Sequence, residues 1–189
     1  MRILMRTSLL AAGAALTVAT AAFGADGAPP VGSVESVQAL ARAFSPADAP
    51  RAELVYTAEV TIAPPEVVGP VPSGMQRIIP ITGGRFEGPA IRGTVFSGGA
   101  DWNLARNDGA TSVEAVYFLR TDDNVVIKIT NKGVNPSPAA GGRPSRPGFT
   151  IPTFEAPQGK YDWLNKGAFV GTLTVQRPGA VVIRVFKLV

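Results

Sequence analysis

The sequence predicts an all-β protein, a sandwich or a closed antiparallel barrel, and three observations carry that expectation. Residues 52–62 alternate apolar and polar side chains with period two, the pattern of a half-buried strand, and later segments repeat it. The 189 residues include 21 Gly and 17 Pro, which suits many turns between short strands and suits long helices poorly. No stretch holds a 3.6-residue period long enough to supply the crossover helices of a parallel sheet.

The first strand covers 52–62, where Leu54, Tyr56, Ala58, Val60 and Ile62 form the apolar face. Further strands are expected over 76–82, 91–97, 113–120, 124–130, 169–176 and 180–188, each bounded by Gly, Pro, Asn or Asp. Asp123-Asn124 and Arg177-Pro178-Gly179 mark tight hairpins, so the pairing is antiparallel. Ahead of the strands, 25–51 reads as an Ala- and Pro-rich linker with a short helix near Val37 to Phe44. Residues 133–148 hold four prolines, four glycines, Arg143 and Arg146. They read as a long loop, either solvated or a basic lid over an anionic ligand.

Residues 1–24 are a different kind of sequence. Arg2 and Arg6 precede an apolar, Ala-rich run that ends in small residues, with Ala22 and Gly24 placed for a cut before Ala25. That is the pattern of a secretory signal peptide, so the expected location is periplasmic or secreted, without stable membrane association after cleavage. A retained anchor is the alternative reading. Removing Arg2 and Arg6 lowers the net charge from +4 to +2, and no basic stripe with interleaved aromatics follows, so nucleic acid is not an expected partner.

The chain contains no Cys and no His. This removes disulfides, thiolate nucleophiles, imidazole bases and the common zinc sites, leaving carboxylates, Lys, Arg, Tyr, amides and backbone for any chemistry. An all-oxygen calcium or magnesium site stays formally open, but no acidic loop has the density such a site needs, so no metal site and no cofactor are expected.

Three clusters stand out beyond ordinary turns. They are Ile78-Ile79-Pro80-Ile81-Thr82-Gly83-Gly84-Arg85-Phe86-Glu87-Gly88-Pro89, Gly93-Thr94-Val95-Phe96-Ser97-Gly98-Gly99-Ala100-Asp101-Trp102, and Phe154-Glu155 with Tyr161-Asp162-Trp163-Leu164-Asn165 and Phe169-Val170-Gly171. Together with Leu119-Arg120-Thr121-Asp122-Asp123, they resemble the bacterial domain-of-unknown-function family 3237, from about Ala52 to the C-terminus. The resemblance implies a single antiparallel eight-stranded β-barrel over 52–189, similar to allene oxide cyclase, with a central cavity. Some members of that family resemble lyases or decarboxylases of lignin-derived aromatic compounds. The chain departs from the family in its export signal, in Asn124 where Gly is usual, and in Phe149-Thr150-Ile151-Pro152, which lacks the family's arginine.

An eight-stranded barrel has room for its own side chains or for one small ligand, so inward polar residues are candidate site residues. Glu87 and Glu155 read as lumen carboxylates acting as general acid or base, or as structural carboxylates, Glu87 paired with Arg85 or Arg92. Tyr117 shares the apolar phase of Val113, Ala115 and Leu119 and reads as a third catalytic candidate or as core. Asn165, Trp102, Trp163, Asp101 and Arg85 are candidate substrate contacts, with turn or core roles as their alternatives. The expectation is that Glu87, Tyr117, Glu155 and Asn165 converge on one cavity. The function expected is binding of a small organic molecule, aromatic or otherwise apolar, with cofactor-free lyase, decarboxylation or isomerisation chemistry by carboxylate and Tyr proton transfer. A non-catalytic carrier and a structural or interaction barrel filled by its own side chains are the alternatives.

Overall fold

The computed structural model describes residues 30–135 and 147–189. The segment read as a signal peptide, 1–24, and most of the 133–148 loop lie outside the described residues. The chain divides into two units, Met1–Ala49 and Pro50–Val189. The described part of the first holds helix α1 (Val34–Ala43), started by Ser33, whose hydroxyl accepts the Ser36 amide at 3.1 Å, and a 3-10 turn at Pro46–Asp48.

The second unit is a closed antiparallel β-barrel of eight staves. Its strands are β1 (Ala52–Ile62), β2 (Glu66–Val71), β3 (Gly74–Glu87), β4 (Arg92–Val95), β5 (Gly99–Arg106), β6 (Thr111–Thr121), β7 (Val126–Asn135), β8 (Gly148–Glu155), β9 (Phe169–Arg177) and β10 (Ala180–Leu188). The sheet order β1-β10-β9-β8-β7-β6-β4-β3 is closed by pairing of β1 with β3. Two staves are broken in the middle. β1 pairs with 81–87 of β3 and β2 with 74–78, separated by Pro64-Pro65; β4 and β5 likewise share one side of β3, separated at Ser97-Gly98.

The strands expected at 52–62 and 180–188 have those limits, whereas β3 runs longer than 76–82 and three strands were not foreseen. Each of the three conceals its periodicity. β2 is an exposed strand containing Gly69 and Pro70, and β5 opens on Gly99 and turns Asp101 and Asn103, not apolar residues, inward. β8 carries Pro152 at its centre, buried and level with Asn131 of β7. A proline gives up a ladder hydrogen bond. The pairing of β8 with β9 correspondingly covers only Gly148, Thr150 and the residue between them.

Side chains alternate across each stave, and a packed end and a hollow end result. At the packed end Tyr56, Phe86, Phe154 and Phe169 interlock, with ring centroids 5.3 Å apart for Tyr56–Phe86 and 5.0 Å for Phe154–Phe169. Leu164 and Tyr161, from the β8–β9 connection, are buried in the same cluster. The hairpin between β6 and β7 is clamped there by Asp123, which accepts from Lys160 Nζ (2.8 Å), the Tyr161 hydroxyl (2.9 Å) and the Thr121 hydroxyl (2.5 Å).

Candidate functional site

Toward the other end the lumen is not filled. A cavity of about 230 Å³ lies between β1, β3, β5, β6, β7, β9 and β10. Its walls are largely apolar, among them Val60, Ile79, Ile81, Val113, Leu173 and Ile183, and its polar groups are Arg77, Asp101, Asn103, Thr111, Tyr117, Asn131 and Asn135.

Two of those groups are built by β5. Asp101 and Asn103 are two residues apart on one strand, so both face inward. Asn103 Nδ2 donates to Asp101 Oδ2 at 2.9 Å, the Glu114 backbone amide donates to Asp101 Oδ1 at 2.8 Å, and Arg77 donates to Asn103 Oδ1 through Nε at 3.1 Å and also through its terminal nitrogen. Asn103 thus couples the Arg77 guanidinium to the Asp101 carboxylate without direct contact between the charges. Burial raises the Asp101 carboxyl above its ordinary value, and the Asn103 and Glu114 hydrogen bonds and the Arg77 charge only partly offset this.

The adjoining wall is built by β6 and β7. Their register places Asp101 level with Ala115, and Ala115 level with Asn131, so the two polar residues flank one methyl group. One rung away, Tyr117 lies against Gly99; a Cβ at Gly99 would come within 2.5 Å of the Tyr117 Cβ. Tyr56 and Tyr117 are fully buried, and burial raises both phenols above their ordinary value. The Tyr56 and Tyr117 hydroxyls interact with one another, which raises the Tyr56 phenol further and partly offsets the rise at Tyr117, although their geometry falls short of a full hydrogen bond. Asn131 Oδ1 and Thr150 Oγ1 are also buried without a partner.

The four residues expected to converge do not. Glu87 is exposed, because a bulge where β3 meets Thr61 and Ile62 of β1 resets the alternation, turning Phe86 inward and the next residue outward. Glu155 follows inward-facing Phe154 and is exposed, paired with Lys128 Nζ at 2.7 Å. Asn165 closes a loop: its Oδ1 accepts the Ala156 amide and its Nδ2 donates to the Ala156 carbonyl, both at 2.8 Å. Tyr117 alone of the four lines the cavity. Of the other candidates, Asp101 lines it and Arg85 is exposed. Trp163 packs on Phe169 at the filled end, and Trp102, 47% exposed, faces an open outer groove with Ile78 and Leu104.

Residues 50–188 match the family model described as "Protein of unknown function (DUF3237)". The chain belongs to the DUF3237 family. A UPF0311 protein of Rhodopseudomonas palustris is 32% identical to this DUF3237 protein over 144 residues, covering 71% of this chain and 94% of that one. A solved structure from Acinetobacter baumannii, described as a beta-barrel like protein, superposes with a TM-score of 0.68 at 30% identity, covering 77% of this chain and 99% of that one. A more distant relative, the hydroalkoxylation enzyme phnH of Penicillium herquei, is 27% identical over 123 residues, 65% of this chain and 74% of its own length.

Arg77, Asn103 and Asn131 of this DUF3237 barrel were not foreseen as site residues. Two carried a signal in the sequence: Asn131 continues the inward phase of Ile127 and Ile129, and Arg77 that of Ile79 and Ile81. Asn103 carried none until β5 was recognised as a strand. Among the described residues no group of three or more Asp or Glu gathers as a metal site would require.

Proposed function

We propose that this protein binds a small, mostly apolar organic molecule in the barrel lumen and moves a proton to or from it, with Asp101 as the acid-base group and no cofactor. The observation that carries this reading is a carboxyl on the wall of an apolar cavity, its proton affinity raised by burial and its geometry fixed by Asn103 and the Glu114 amide. Proton transfer is the step that lyase, decarboxylation and isomerisation reactions of aromatic compounds share. Hydroalkoxylation, named for the fungal relative, also moves a proton, adding an O–H bond across a carbon–carbon double bond without net oxidation or reduction. The leader-like N-terminus supports action outside the cytoplasm.

The test is exchange of substrate hydrogen for deuterium. A panel of one- and two-ring unsaturated compounds is incubated with the protein in D2O, and label is read by mass spectrometry. Asp101→Asn should lower incorporation by about 10²–10⁴-fold, the usual contribution of a positioned acid-base group, while probe binding persists. Exchange at the wild-type rate in a variant that binds normally would contradict the assignment. Saturable binding with no exchange anywhere in the panel would favour a carrier.

A further inference from the structure

We infer that the lumen takes a carboxylate ligand, an unsaturated or aromatic carboxylic acid whose anion pairs with the Arg77 guanidinium. This deepens the lumen reading above and rests on it. Two observations place the guanidinium inside the barrel. Arg77 lines the cavity, and its Nε and one terminal nitrogen donate to Oδ1 of Asn103, an inward-facing residue 4% exposed on the same wall. Its charge also reaches Asp101, lowering that carboxyl against the effect of burial.

The bonding leaves this cation incomplete. A guanidinium carries five N–H donors in a planar fork, and here Nε and the terminal nitrogen beside it are both directed at one neutral amide oxygen. The end edge of the fork, formed by the two terminal nitrogens, has no partner among the described residues, and Arg77 forms no salt bridge with any of them. Arg77 and Asp101 are the charged residues of the cavity wall, and the Asn103 carboxamide stands between them. A half-buried charge beside apolar walls is disfavoured without a counter-ion. A carboxylate supplies one, because its two oxygens match the two terminal nitrogens in a bidentate pair. A neutral amide or hydroxyl brings no charge to that edge.

The register sets the rest of the ligand. Arg77 is level with Asn103 and Ile79 with Asp101, so the acid-base carboxyl stands one lumen-facing rung, about 7 Å, from the guanidinium position. A ligand anchored at Arg77 extends over Ile79 and presents its ring or double bond to Asp101. The cavity, about 230 Å³, is below the roughly 300–1,000 Å³ usual for ligand pockets, which limits the ligand to one or two rings. The charges that act on Asp101 are Arg77, which lowers its carboxyl, and Glu114, which raises it. An anion paired with Arg77 cancels the first, so Asp101 holds its proton more firmly once the ligand is bound.

The experiment is calorimetric titration of the protein at neutral pH with 2-naphthoate and its uncharged counterparts 2-naphthamide and 2-naphthol. The inference expects 2-naphthoate to bind roughly tenfold or more tightly than either of the others. Arg77→Gln, which keeps a donor for Asn103, should bring that ratio toward one by weakening 2-naphthoate alone. A second readout needs no variant: in the wild type, carboxyl-resolved NMR should show the Asp101 midpoint rising further with bound 2-naphthoate than with bound 2-naphthamide. Equal affinity for all three probes would overturn carboxylate recognition and leave the lumen reading standing. A preference for 2-naphthoate retained in Arg77→Gln would overturn it too, because the anion would then be held elsewhere, as would an Asp101 midpoint that responds equally to both ligands. Binding of none of the probes would end both readings.

Discussion

Asp101 and Asp123 illustrate how one side-chain type acquires opposite properties in one fold. Burial raises the Asp101 carboxyl, whereas Asp123 is held down by the Lys160 ammonium and by the Thr121 and Tyr161 hydroxyls. Their effects on stability fall in separate pH windows. With its folded-state value above the ordinary 3.8, Asp101 makes the native state bind more protons than the unfolded state, so its contribution is present below 3.8 and declines as pH rises through the raised value. Asp123, held below 3.8, contributes stability above that value and loses it as pH falls further. Carboxyl-resolved NMR should find the Asp101 midpoint above 3.8 and the Asp123 midpoint below it; an Asp101 midpoint at or below 3.8 would remove the acid-base assignment. The exposed glutamates behave differently. Glu155→Gln should change stability by less than about 1 kcal/mol in urea denaturation and leave probe binding intact, since an exposed ion pair contributes little. Glu87→Gln should also leave probe binding intact. The two glutamates drew attention in the sequence because they stand beside Gly- and Pro-rich turns. Which face each occupies, however, depends on the bulge in β3 and on the phase of β8, and neither can be read without knowing the partner strands.

At the scale of elements, local sequence and tertiary contact share control. β1 and β10 were legible because Leu54 to Ile62 and Ala180 to Leu188 carry their apolar pattern without interruption by Pro or Gly. β5 was not, since its inward positions are Asp101 and Asn103 and its outward ones include Trp102 and Leu104, an inversion of the usual binary pattern. Such an inversion is what a polar site inside a barrel looks like in sequence, and it is recognisable only once the neighbouring strands fix which side is the lumen. The close approach of β5 to β6 depends on Gly99. Gly99→Ala should destabilise the barrel by about 1–3 kcal/mol, the usual range for overpacking, because the new methyl would meet the Tyr117 Cβ and the Val116 carbonyl. At the packed end, Leu164 is 1% exposed among the core side chains, and Leu164→Ala should cost about 2–5 kcal/mol by the same measurement. If both substitutions proved neutral, the packing described at the two ends of the lumen would be wrong.

For the whole barrel, eight staves leave an interior that must be filled by side chains or by one small ligand, and this one does both along its axis. The aromatic cluster of Tyr56, Phe86, Phe154 and Phe169 fills one end, and the other remains hollow, with polar groups aimed into it. The outer groove beside Trp102 is larger, about 700 Å³, but it is an open surface feature, whereas the lumen cavity carries the buried Asp101 carboxyl on its wall. β3 separates the two surfaces at adjacent residues, because Ile79 lines the cavity and Ile78 the groove. The most direct measurement is therefore isoleucine-methyl NMR during titration with 2-naphthol. The account predicts saturable shifts at Ile79 and Ile183 with Ile78 unmoved; shifts at Ile78 with Ile79 and Ile183 unmoved would contradict it.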